Sequence, residues 1–227
     1  GAVSGNVATT VSPTPPATPA VPTLDASSDT GVSATDGITN DNTPTFTGTA
    51  AVGSTVRLYD GTTQVGTATV GANGTYAVTA STLGDGAHTL RVTATDAAGN
   101  VSVSSGTVSV TIDTSAPGAP ATPTLDAASD TGASSTDGIT GDATPTFTGT
   151  AEAGSTIKLY DGATQVGTAT VAADGTYSVT ASTLGEGDHA LHVTATDADG
   201  NVSANSGDVG INVDTSAPGT PATPTLD

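Results

Sequence analysis

Ala87-His88-Thr89-Leu90-Arg91-Val92-Thr93-Ala94-Thr95-Asp96 is the stretch on which the fold turns. Leu90, Val92 and Ala94 alternate with Arg91, Thr93 and Thr95. A period of two sends one row of side chains into a core and the other to solvent, whereas a helix would group them every three or four residues. The same alternation holds around Phe46 between Thr45 and Thr47, at Val56 and Leu58, and at Val108, Val110 and Ile112. Threonine fills the outward positions, as expected of a β-branched residue on a half-solvated antiparallel sheet. No run of a dozen residues carries a helical stripe. The pattern predicts strands near 22–25, 43–50, 54–60, 63–70, 75–80, 87–96 and 102–113.

Turn chemistry punctuates these runs. Asp60-Gly61, Asn73-Gly74 and Asp85-Gly86 are Asx-Gly steps, read as hairpin tips of type I′, in which both central residues need positive φ. Seven short strands in about 100 residues predict an all-β, immunoglobulin-like sandwich without its disulfide, ahead of an up-and-down barrel. The pattern then recurs: residues 25–125 laid over 126–226 without a gap are identical at 75 of 101 positions. Pro22-Thr23-Leu24-Asp25 returns at 123–126 and at 224–227, so the chain reads as a piece of a longer array. The expected organisation is a Pro- and Thr-rich segment at 1–21, domains at 22–117 and 118–218, and the start of another repeat at 219–227. Prolines 117, 120 and 123 make the connection between the domains a short, semi-rigid spacer.

Composition narrows function. Twenty-two Asp and Glu against three Lys and Arg give a net charge of −19. Such a chain has nothing to neutralise phosphates and is repelled by anionic membrane surfaces, so neither nucleic acid nor membrane is an expected partner. Neighbouring repeats of the same chain are, and the segment is expected to be monomeric. Without cysteine, Met or Trp, and with two Phe and four Tyr, each core must be light, and a small β domain lacking disulfides needs another brace, commonly a metal.

Most aspartates beside glycine are explained by turns. The segment 25–41 is different: Asp25, Asp29, Asp36 and Asp41 fall within 17 residues with no cation nearby, and its copy keeps Asp126, Asp130, Asp137 and Asp142. Gly, Ser and Thr between them let the loop curl and offer further oxygens. Hard cations such as Ca2+ take 6–8 oxygens from flexible acidic loops, and with no Cys and only three His, zinc and copper sites are disfavoured. The loop is therefore a calcium candidate; the alternative is a solvated acidic loop with Asp36-Gly37 as one more turn. A second candidate is spatial. In such a sandwich the last strand ends at the pole opposite the first, so Asp113 would face Glu152, Asp197 and Asn201 of the next domain and could close on one cation. Alternatively, Asp96 with Asn100 and Asp197 with Asn201 merely fold their own loops.

The motifs Thr-Pro-Thr-Phe-Thr-Gly-Thr-Ala-Glu-Ala-Gly-Ser-Thr (144–156), Asp-Gly-Thr-Tyr-Ser-Val (174–179), Val-Thr-Ala-Thr-Asp-Ala-Ala-Gly-Asn-Val-Ser (92–102) and Asp-Thr-Ser-Ala-Pro (113–117) resemble bacterial Ig-like repeats over about 22–227. Such repeats form the extender region of large secreted surface adhesins of the RTX and biofilm-associated kinds. The resemblance implies an extracellular, cell-surface stalk stiffened by Ca2+ that holds a distal adhesion module away from the cell. The first domain departs from the second at Ala51 and Asn73, where the copy has Glu152 and Asp174, and Ser12 stands where the repeat expects the counterpart of Asp113.

An enzyme is not expected. No cysteine nucleophile exists, Lys158 is Arg57 in the other copy, and the repeated His88 and His189 read as residues of a strand tip or edge. Paired carboxylates occur without the aromatic cleft that a glycosidase uses. The runner-up is a binding module, in which outward threonines such as Thr45, Thr47 and Thr49 touch carbohydrate or order water at ice.

Overall fold

The computed structural model describes residues 14–222; the rest, including Ser12, most of the Pro-rich segment 1–21 and the third Pro-Thr-Leu-Asp, lies outside the described residues. The chain divides into two units with the boundary between Ser115 and Ala116. Unit 1 contains β1 (Thr23–Leu24), β2 (Ile38–Thr39), β3 (Thr45–Thr49), β4 (Thr55–Asp60), β5 (Thr63–Thr69), β6 (Thr75–Thr79), β7 (Gly86–Thr95) and β8 (Val108–Ile112). Unit 2 repeats them as β9 (Thr124–Leu125), β10 (Ile139–Thr140), β11 (Thr146–Thr150), β12 (Thr156–Asp161), β13 (Thr164–Thr170), β14 (Thr176–Thr180), β15 (Gly187–Thr196) and β16 (Val209–Val213). In unit 1 a three-stranded sheet, β1-β3-β6, faces a five-stranded sheet, β2-β8-β7-β4-β5, and unit 2 has the same two orders. This is a pair of tandem Ig-like sandwiches.

The alternation in the sequence is the reason the sandwiches close. Phe46, Val56, Leu58, Leu90, Val92 and Ile112 point inward and are fully buried or within 1% of it. Phe147, Ile157, Leu159, Leu191, Val193 and Val213 occupy the same places in unit 2. At about 25 cal/mol per Å2 of apolar surface, burial of these side chains is the main term favouring each fold.

Three details differ from the expectation. No non-Gly residue among those described has positive φ, so the Asx-Gly steps are not type I′ turns. Gly61 (φ 56°) alone supplies the reversal between the paired strands β4 and β5, the single-glycine pattern of a type II′ turn. Asn73-Gly74 and Asp85-Gly86 are corners where the chain crosses from one sheet to the other, because β5 and β6, and β6 and β7, lie in different sheets. Second, β2 is an added two-residue strand, parallel to β8 through Ile38↔Thr111 and Thr39↔Ile112. Third, the last strand begins at Val108 and not near 102, for a reason that lies in two serines. The Ser102 and Ser105 hydroxyls accept the Ala94 and Val92 amides (2.9 and 3.0 Å), while the Ser102 and Ser105 amides donate to the Ala94 and Val92 carbonyls. Three residues of chain thus span two residues of β7, and the regular ladder stops. Ser203 and Ser206 do the same against Ala195 and Val193.

Candidate functional site

The acidic segment is the long connection from β1 through β2 to β3, and a buried threonine knits it together. Thr39 Oγ1, with no exposure, donates to the Ser28 carbonyl (2.6 Å) and accepts the Asp41 amide (3.0 Å). Thr140 repeats both contacts with Ser129 and Asp142. Around this post three of the four carboxylates cap their own turns. Asp25 accepts the Ser27 amide and hydroxyl, Asp36 the Ile38 amide, and Asp41 the Thr43 amide and hydroxyl. In unit 2, Asp126 accepts the Ala128 amide, Asp137 the Ile139 amide, and Asp142 the Thr144 amide and hydroxyl together with the Ser129 hydroxyl. The serine hydrogen bonds hold the exposed Asp25 carboxyl below its usual range, and the Thr144 amide does so for Asp142.

Asp29 and Asp130 stand apart. Each is only 7% exposed, and its Oδ2 accepts one long bond from the Gly37 or Gly138 amide (3.4 and 3.3 Å). Oδ1 is buried and without a partner in both units. Buried polar atoms are nearly always satisfied, so a carboxylate oxygen left bare twice at one place calls for a reason. Asp130 and Asp137 line one groove of about 590 Å3, together with Leu125 and Ile211. Among the described residues, no three His, Cys, Asp or Glu side chains gather into a group that could hold a metal by themselves. The four carboxylates of the loop are therefore not brought to one point.

The remaining candidates take part in local structure. Asp197 accepts the Asp199 and Asn201 amides and the Asn201 side-chain amide, and Asp96 does the same for Ala98 and Asn100. Asn201 is 9% exposed. The Asn100 side-chain bond leads the contacts that hold the Asp96 carboxyl low. The Glu152 carbonyl accepts the Ser155 amide and hydroxyl. Asp113, the first residue beyond β8, accepts the Ser115 amide.

Two arrangements escaped the sequence. Asp85, read as a turn residue, reaches the exit from β8: its Oδ1 accepts the Thr114 amide and hydroxyl (3.1 and 2.8 Å) and its Oδ2 the Ser115 hydroxyl (3.1 Å). Glu186 takes the same role for the Thr215 amide and hydroxyl. The second is His88, whose Nδ1 lies 2.8 Å from Asp60 Oδ2 and whose Nε2 lies 2.8 Å from the Gly84 carbonyl. His189 meets Asp161 and Gly185 at 2.7 and 3.0 Å. The one available signal was the 28-residue separation of Asp and His in both copies.

A family profile described as bacterial Ig-like domain matches residues 14–114 and again 117–215. Among solved structures, a Ca2+-stabilized adhesin that helps an Antarctic bacterium reach out and bind ice is 28% identical over 88% of this chain and 50% of its own (TM-score 0.44). A tetra-tandem repeat in the extending region of a large adhesion protein is 26% identical over 87% of this chain and 50% of its own (TM-score 0.31). The BSP domain of a biofilm-associated protein is 23% identical over 89% of this chain, which spans 30% of that structure (TM-score 0.31). Among curated proteins, none matches the chain.

Proposed function

The chain belongs to the bacterial Ig-like domain family, and from that premise we propose that it is an extender segment of a bacterial surface adhesin, two links of a stalk that carries a distal binding module away from the cell. Repetition is the observation that supports this most. The two units share 75 of 101 residues, one strand order and one set of buried side chains, down to the same serine-broken last strand. Duplicated units supply reach, not a catalytic centre. Neighbouring repeats are the partners of such a segment, which acts outside the cell and catalyses nothing.

Calcium is the brace that this reading assigns to the acidic loops. Asp29 and Asp130 fit a hard cation: each keeps a buried, unpartnered carboxylate oxygen in a loop rich in hydroxyl and carbonyl oxygens. A bound ion would satisfy that oxygen and offset the charge of Asp36 or Asp137 nearby. Extracellular modules hold Ca2+ at about 10⁻⁴–10⁻³ M, so roughly millimolar ion adds about 0.4–1.4 kcal/mol per site. Calorimetry decides. Calcium at matched ionic strength should raise the melting temperature over that in EDTA, and D29N with D130N should remove the rise. Identical melting in EDTA and calcium leaves the loops merely solvated.

A further inference from the structure

We propose that His88, held as an imidazolium between Asp60 and the Gly84 carbonyl, is a proton-operated latch on the chain that leaves unit 1, and that His189 is the same latch in unit 2. The first step is donor counting. A carboxylate and a carbonyl both accept, so the contacts at 2.8 Å on Nδ1 and 2.8 Å on Nε2 require an N–H on each ring nitrogen at once. Neutral imidazole carries one. The repeat meets the same two acceptors, at 2.7 and 3.0 Å.

The second step is connectivity. Gly84 precedes Asp85, and Asp85 is the residue that grips Thr114 and Ser115 as the chain leaves β8. When the ring loses a proton, the bond to the carboxylate survives in preference to the one to the neutral carbonyl. Nε2 then turns a lone pair on the Gly84 oxygen, the loop is pushed away, and the Asp85 grip weakens. Unit 2 keeps the device although Asp85 becomes Glu186, which still holds the Thr215 amide and hydroxyl.

The charges around the latch set its sign. β4 presents Asp60, β8 has no titratable side chain, Asp85 lies in the latched loop, and Arg91 reaches the Gly61 carbonyl (3.0 Å) beyond Asp60. Asp188 adds a charge beside His189, and Asp137 lines a shallow cavity with it. Burial alone would pull the His88 titration down, but the Asp60 hydrogen bond, the Gly84 carbonyl and the Asp60 charge together raise it above the ordinary value, and His189 is raised likewise. A value raised on folding means the latch is fully closed below about 6.5 and opens as pH climbs through the folded value.

The test uses the whole chain, in EDTA and again in calcium, so that its outcome is separate from that of the cation sites. Nitrogen-15 imidazole spectra should show both ring nitrogens of His88 and His189 protonated at pH 6, with midpoints above about 6.5. Across that midpoint, exchange at the Thr114 amide should accelerate roughly threefold or more beyond a core amide such as Val92. In H88Q that step should vanish at Thr114 and persist at Thr215. Should H88Q fail to fold, D60N serves, and its His88 midpoint should drop. A single-tautomer ring at pH 6, a midpoint at or below the ordinary value, or a Thr114 step that survives in H88Q overturns the proposal.

Discussion

Phe46 shows how much a light core asks of single residues. It is completely buried and is one of two phenylalanines in the chain, the other being its copy Phe147. F46A should cost about 3–5 kcal/mol of unit 1 stability, read as a shift of the denaturant midpoint at constant slope. Across the sheet, Gly48 pairs with Tyr76, and the tyrosine lies over it: a Cβ at 48 would sit 2.5 Å from the hydroxyl oxygen. Burial pushes the Tyr76 phenol up to about 12, and its oxygen is without a partner. G48A should therefore destabilise unit 1 by about 1–3 kcal/mol although it adds a single methyl group. A loss below a few tenths of a kcal/mol would mean that the ring slides aside.

At the scale of elements, hydroxyls complete what the strands leave open. S102A would remove the acceptor of the buried Ala94 amide and should cost about 1–3 kcal/mol, with faster exchange at that amide as the local readout. Such contacts explain where the sequence was legible. The strands from β3 to β7 announce themselves because Val56, Leu58, Leu90 and Val92 alternate with polar neighbours over five or more residues, long enough for a period to register. Ile38-Thr39 is two residues in a polar loop, paired with β8 through the Thr111 and Asp113 amides, and two residues have no period. Val101, Ser102 and Val103 alternate like a strand, yet Ser102 and Ser105 take over the acceptor role of the backbone, which pattern alone does not distinguish. The site divides in the same way. Asx turns at Asp25, Asp36 and Asp41 follow from local spacing, whereas the bare oxygen of Asp29 and the reach of Asp85 to Thr114 depend on chain brought back from 8 and 29 residues away. The paired Asp60 and His88 were visible as residues but not as a pair, since only the β4–β7 register, which sets Asp60 against Leu90, brings His88 two residues away within its reach.

For the molecule as a whole, charge is the dominant unspent quantity. A net charge of −19 over two units means that each carries its own surplus of carboxylates, and two of the three Lys and Arg are committed locally: Arg57 to the Thr95 hydroxyl, and Arg91 to Ser104, Gly61 and the face of the Tyr59 ring at 5.2 Å. Repulsion among exposed carboxylates is long-ranged at low salt, where the Debye length is about 30 Å at 0.01 M, and is cut to about 8 Å at 0.15 M. Unfolding spreads the same charges apart, so the folded state bears more of the repulsion. Sodium chloride between those concentrations should thus raise the melting temperature of both units, without the saturation expected of a bound ion. Calcium separates the two effects: after ionic strength is matched, any further rise belongs to specific sites, and it should level off near the millimolar range and disappear with D29N and D130N. A melting temperature that is flat in sodium chloride would mean that the carboxylates are spaced widely enough to ignore one another, and a calcium effect that grows without limit would reduce the loops to a share of the same diffuse screening.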